Sequence, residues 1–131
     1  MGGICTYKEL RIWQEGMVLV EKIYRMTEGW PREELYGLIS QTRRVAVSIP
    51  ANIAEGFRRF SSKDYIKFLR ISQGSLSELE TEVMIAGKLN YFSDEILQDV
   101  LKETEKLTKM ISLMISKLSN NSAPRATDYA P

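Results

Sequence analysis

"QTRRVAVSIPANIAEGFRRF", Gln41 to Phe60, carries the apolar spacing of a helix with a proline in its interior. Leu38, Val45, Ile49 and Ile53 make one stripe, and Gln41, Arg44, Ser48, Asn52, Glu55 and Arg59 make a second, entirely polar one at steps of three or four. A helix from about Arg32 to Arg59 is predicted. Pro50 removes the backbone hydrogen bond to the Ala46 carbonyl and presses its ring against it, at a cost of about 3 kcal/mol or more in a regular helix interior. A bend there wraps a long helix around its partner, and water or the Asn52 amide is expected to satisfy the freed carbonyl. A structural kink lined by a polar seam and a notch that contacts a ligand both fit this pattern.

Ser61 or Ser62 can cap a following helix, with Asp64 in its first turn. Tyr65, Leu69, Ser72, Leu76, Leu79, Val83 and Ala86 then form its stripe. Because both helices rise equally per residue, a hairpin turning near Phe60 and Ser61 pairs positions whose numbers sum to about 121 or 122. Arg44 then faces Glu78 across the seam, predicting an ion pair, and Ser48 faces Gly74 and Ser75.

Outward from this hairpin, a first helix is predicted from about Tyr7 to Met26, with Leu10, Trp13, Met17, Val20 and Tyr24 on its stripe, ending before Gly29-Trp30-Pro31. Ser93 caps a fourth helix whose stripe is Leu97, Val100, Thr104, Leu107, Ile111, Met114 and Leu118. Ile12, Leu19, Leu101, Met110 and Ile115 fall outside the proposed stripes and read as candidate oligomer surface. The fold class expected is all-α, an antiparallel up-down-up-down four-helix bundle whose second helix is kinked at Pro50. Residues 1–6 read as a flexible leader, 7–118 as the bundle and 119–131 as a polar, proline-containing disordered tail.

Composition narrows the chemistry. The 131 residues suffice for one domain with its own core. There is no histidine, the commonest general acid/base at neutral pH and the commonest metal ligand. The single cysteine, Cys5, can form no intrachain disulfide and no multi-cysteine metal cluster. No cofactor, metal or membrane span is expected, and the cytoplasm is the expected compartment.

"LRIWQEGMVLVEKIYRMT", "YGLISQTRRVAVSIPANIAEGFRRFS" and "FLRISQGSLSELETEVMIAGKLNYF" together resemble the four-helix-bundle proteins encoded within intervening sequences of bacterial 23S ribosomal RNA genes. The resemblance covers nearly all of Leu10 to Phe92. It implies an up-down bundle assembled into homopentameric rings. More distantly, the chain is similar to accessory proteins of diversity-generating retroelements, basic pentameric barrels that bind nucleic acid alongside a reverse transcriptase. The family has no established enzymatic activity, so the resemblance assigns no catalytic residue.

The net charge is only +1, but the bundle topology segregates it. One end gathers Lys8, Arg11, Arg58, Arg59, Lys63, Lys67, Arg70, Lys109 and Lys117; the other gathers Glu28, Glu33, Glu34, Glu80, Glu82, Asp94, Glu95 and Asp99. Three functions remain open. The first is a non-enzymatic oligomer that binds RNA or DNA through Arg58, Arg59, Lys63, Lys67, Arg70, Lys8 and Arg11, with Gln41, Arg44, Ser48, Asn52, Glu55 and Glu78 as a structural polar seam. The second is a scaffold for another protein, such as a reverse transcriptase. The third is an enzyme built on Glu55, Glu78 and Glu82, for which ion pairing with nearby arginines is the better account.

Overall fold

The computed structural model describes residues 3–120. It contains four α-helices: α1, Arg11–Thr27; α2, Leu38–Phe57; α3, Ser62–Lys88; and α4, Asp94–Asn120. Two short 3-10 turns, Tyr7–Glu9 and Arg32–Glu34, precede α1 and α2. Each helix packs on the next, and α4 closes the bundle against α1. None of these helices is long and apolar enough to cross a membrane.

The helix boundaries have local causes. Thr6 and Glu9 form a capping box around the first turn, in which Glu9 Oε1 accepts from the Thr6 amide at 3.1 Å, and the same oxygen also accepts from the Cys5 amide at 2.8 Å. This first turn is separate from α1, because Leu10 between them is extended. The second helix starts at Leu38 rather than Arg32. Gly37 leaves helical geometry with φ −112° and ψ −111°, and Glu34 Oε1 takes the freed Leu38 N–H at 3.1 Å. Ser61 is the cap of α3, its Oγ accepting from the Asp64 amide at 3.1 Å. Asn90 ends α3 with φ 62°, the left-handed conformation that lets its N–H reach Gly87 O and the Tyr91 N–H reach Ala86 O. Helix α4 continues through Ser119 and Asn120, which the sequence places in a tail; the tail's remaining residues, 121–131, lie outside the described residues, as do Met1 and Gly2 of the leader.

The α3 stripe is buried as its spacing predicts, from Tyr65 to Ala86, and so are Val45, Ile49 and Ile53 of α2. Along α4, Val100, Thr104, Leu107 and Ile111 are buried, joined by Ile115. Helix α1 differs. Its buried face is Ile12, Gly16, Leu19, Ile23 and Thr27, whereas Met17 and Tyr24 are 45% and 41% exposed. Ile12, Leu19 and Ile115 therefore belong to the core and not to an oligomer surface, while Leu101 and Met110 are half-buried. The reason is Pro50. Helix α2 runs through it without interruption, and its buried ring lies against Gly16, where a Cβ would come within 3.3 Å of Pro50 Cβ. Glycine at 16 makes room for the proline, and that contact turns the Gly16 face of α1 inward.

The seam between α2 and α3 braces the helix around the proline. Ser72 Oγ donates to Ile49 O at 2.9 Å, and Asn52 Nδ2 donates to Ser48 O at 2.8 Å rather than to the expected Ala46 carbonyl. Ser48 Oγ meets Ser75 Oγ at 2.7 Å, close to the expected register, but Gly74 points to open space instead of into the crossing. Farther along, Gly56 lies against Tyr65 and Phe68 of α3. A second apolar cluster, Trp30, Ile39 and Ala86, closes the opposite end, with Trp30 stacked on Phe92 at 5.8 Å between ring centroids.

Candidate nucleic-acid interface

The α2–α3 turn is four residues, Arg58 to Ser61, and it lies at the same end as the start of the chain. The Arg58 guanidinium sits 5.5 Å from the centre of the Tyr7 ring, which joins the turn to the first 3-10 segment and so to Lys8. Lys63, Lys67 and Arg70 follow at steps of four and three, on one exposed face of α3. Across the bundle end, Arg11 and Lys117 flank a groove of about 280 Å³ floored by Ile12, Met110, Leu113 and Met114.

These cations fall into two groups. Arg59 is committed to the fold, since it pairs with Glu55 at 2.5 Å and covers the Phe68 ring at 4.6 Å. Lys109 and Lys106 pair loosely with Glu105 and Glu15, both at 3.5 Å. By contrast Lys8, Arg11, Arg58, Lys63, Lys67, Arg70 and Lys117 are all exposed, and none has an acidic partner within 4 Å among the described residues. The far end is arranged differently. Lys22 bridges Asp99 and Glu103 at 2.7 and 3.1 Å, a pairing that raises its pKa. Glu34 accepts from the Tyr91 hydroxyl at 2.8 Å and from the Leu38 amide, and these bonds hold its carboxyl below the ordinary value.

The polar seam opens outward as a notch of about 230 Å³ lined by Gln41, Arg44, Val45, Ser48, Ser75 and Glu78. Arg44 and Glu78 are both exposed on its rim, and the expected ion pair between them is absent, their charged atoms lying more than 4 Å apart. Exposure explains the difference: both side chains remain hydrated, so a direct pair gains little there. Glu82, 5% exposed, is the carboxylate that the fold does bury. Desolvation and the neighbouring Glu78 push its pKa up, against the lowering influence of Thr42 and Gln41. Even so, Glu82 Oε1 and the buried Thr42 Oγ1 lack a partner at hydrogen-bonding geometry among the described residues.

Glu82 gives a pH prediction. A carboxyl whose folded pKa lies above its ordinary 4.5 binds more protons in the folded chain, so its contribution falls as pH rises from that value through the folded pKa. Glu82→Gln keeps the shape without the charge. Denaturation of both proteins is expected to show the variant gaining on the wild type as pH climbs through this window, and matching it more closely below pH 4. A difference independent of pH would contradict the burial of the charge.

The sequence pattern missed Arg43, whose Nε donates to Thr27 Oγ1 at 2.7 Å while its guanidinium covers Tyr24 at 4.6 Å. Nothing in the spacing distinguishes this arginine from Arg44 beside it. Among the described residues, no group of three or more histidine, cysteine, aspartate or glutamate residues could hold a metal ion.

Comparison with known proteins places this bundle. Residues 8–113 match the 23S rRNA-intervening sequence proteins. The chain belongs to that family. Among solved structures, this intervening-sequence protein is similar to a protein of unknown function from the S23 ribosomal protein family of Bacteroides thetaiotaomicron. The TM-score is 0.72 at 20% identity, covering 79% of this chain and 97% of the other, a likeness of fold. No curated protein matches.

Proposed function

We infer that this member of the family is a non-enzymatic, homo-oligomeric protein that binds RNA through phosphate contacts at its basic end. The observation that carries the reading is the group of seven exposed cations without acidic partners among the described residues, set at one end of a chain whose net charge is only +1. Phosphate contacts act locally, within a screening length of about 8 Å at physiological salt, so their grouping matters more than the total charge. The family's description names 23S rRNA, which makes RNA the polymer to test first. Phosphate contacts position a strand without reading it, so sequence preference should be weak.

A ring strengthens weak contacts by repeating the basic end around an axis. Support for assembly comes from the second apolar stripe of α1, where Met17 and Tyr24 stay 45% and 41% exposed, with Val47 of α2 43% exposed. The pentamer number rests on the family resemblance.

The test is titration of short RNA with the wild type, with Arg58→Glu/Lys63→Glu/Lys67→Glu, and with Arg25→Glu/Arg32→Glu/Lys88→Glu, which applies the same charge change at the other end. The first variant is expected to lose binding and the second to keep most of it. Equal behaviour of the two variants, or no binding by the wild type at low salt, overturns the reading in favour of a protein scaffold. Light scattering on the same samples should return a multiple of the 15.0 kDa chain mass, and a monomer at all concentrations removes the ring.

A further inference from the structure

We propose that Phe60 is a stacking platform for an unpaired nucleobase, so that the basic end takes single-stranded in preference to duplex nucleic acid; this rests on the phosphate-binding reading above. "GFRRFSSKDYIKFLR", Gly56 to Arg70, interleaves aromatics with cations, and the fold sorts the two uses of its rings. Phe57 turns inward, edge-on to the buried Tyr65 with centroids 6.1 Å apart and planes at 89°. Phe68 lies under the Arg59 guanidinium. Phe60 has neither role. It sits in the α2–α3 turn with 65% of its surface exposed, and among the described residues no ring or guanidinium stacks on it.

The position of that ring is specific. Arg58 lies two residues before it and Lys63 three after, both exposed, while Glu55 is engaged by Arg59. Asp64, in the first turn of α3, is the acid that remains close in sequence. A strand whose phosphates are held by Arg58 and Lys63 brings its bases to the turn, where an open phenyl face can cover one of them. Every base has a π face, so the contact adds affinity without demanding a sequence. In a duplex the bases are already stacked on one another and only the backbone is offered, so Phe60 gains no partner. An exposed aromatic at the acidic end, Tyr36, is 93% exposed beside Glu33 and Glu34, surroundings that repel phosphates.

The experiment titrates a labelled single-stranded RNA, the same strand with abasic positions, and the matching duplex against wild type, Phe60→Ala and Phe60→Trp. Phe60→Ala is expected to weaken single-strand binding by about 5- to 150-fold while leaving duplex and abasic-strand affinities unchanged. Phe60→Trp should retain affinity, and its added indole emission should be quenched by the base-bearing strand and not by the abasic one. If the wild type binds the single strand and Phe60→Ala binds it equally well, stacking is refuted and the phosphate reading stands. If the wild type binds none of the three, the phosphate reading has failed and the platform falls with it. Because the side chain is exposed, folding of the variants is not at issue, and circular dichroism should confirm this.

Discussion

Replacing Gly56 with alanine is expected to destabilise the protein, although the same change in an isolated helix stabilises it. Glycine in a helix interior is less favourable than alanine by about 1 kcal/mol, and although Gly56 is the penultimate residue of α2, where the difference is smaller, propensity alone still predicts a gain. Packing predicts the reverse. An added Cβ at position 56 would lie 2.8 Å from Phe68 Cβ, 3.1 Å from Tyr65 Cδ1 and 3.2 Å from the Tyr65 carbonyl oxygen. Two of those atoms are close to or part of the α3 backbone, so relief requires the helices to separate. Overpacking of this kind costs roughly 1 to 3 kcal/mol. Gly74 supplies the control: it is mid-helix and exposed, and an added Cβ meets nothing within 4 Å. Gly74→Ala should therefore stabilise by about 0.5 to 1 kcal/mol. Denaturant unfolding of the two variants should give shifts of opposite sign, and a stabilising Gly56→Ala would mean that α2 and α3 are not in contact there.

Leu19→Ala is expected to cost about 2 to 5 kcal/mol, the range for emptying a buried leucine site. Met17→Ala should cost less than about 1 kcal/mol, because much of its side chain is already in water. The contrast is 1% against 45% exposure for two residues one half-turn apart. Thermal or denaturant unfolding decides which face of α1 is inside. Equal losses, or a larger loss for Met17→Ala, would put Met17 and Tyr24 in the core beside Trp13 and Val20, which already pack against it.

Helix α1 shows where sequence reading loses its grip. It carries two apolar stripes, Trp13 to Tyr24 and Ile12 to Ile23, and periodicity alone cannot rank them. What decides is a contact between distant residues, Gly16 against Pro50, and glycine's absence from an apolar stripe hides it. Helix α3 has one stripe only, so its buried face was legible down to Ser72, whose hydroxyl serves the Ile49 carbonyl. Register across the α2–α3 hairpin was also legible, because a tight turn and equal helical rise leave little freedom. Side-chain orientation at its rim was not. Arg44 and Glu78 line the same notch without pairing with each other, and Arg59, counted from spacing among the nucleic-acid contacts, is held by Glu55 and Phe68. The grouping of Lys8, Arg11, Arg58, Lys63 and Lys67 followed from topology; the exposure of Phe60 beside them did not, since an aromatic in such a stretch usually joins the core.

The grouping of these cations at one end has a quantitative consequence. A protein that neutralises Z phosphates on a single strand releases counterions, so log affinity should fall against log salt with a slope of about −0.7Z. The most direct measurement is this slope for the wild type and for Arg58→Gln/Lys63→Gln/Lys67→Gln on one single-stranded RNA. Removing three contacts should make the slope shallower by about 2 units. A wild-type affinity that ignores salt, or two identical slopes, would contradict phosphate binding at the basic end.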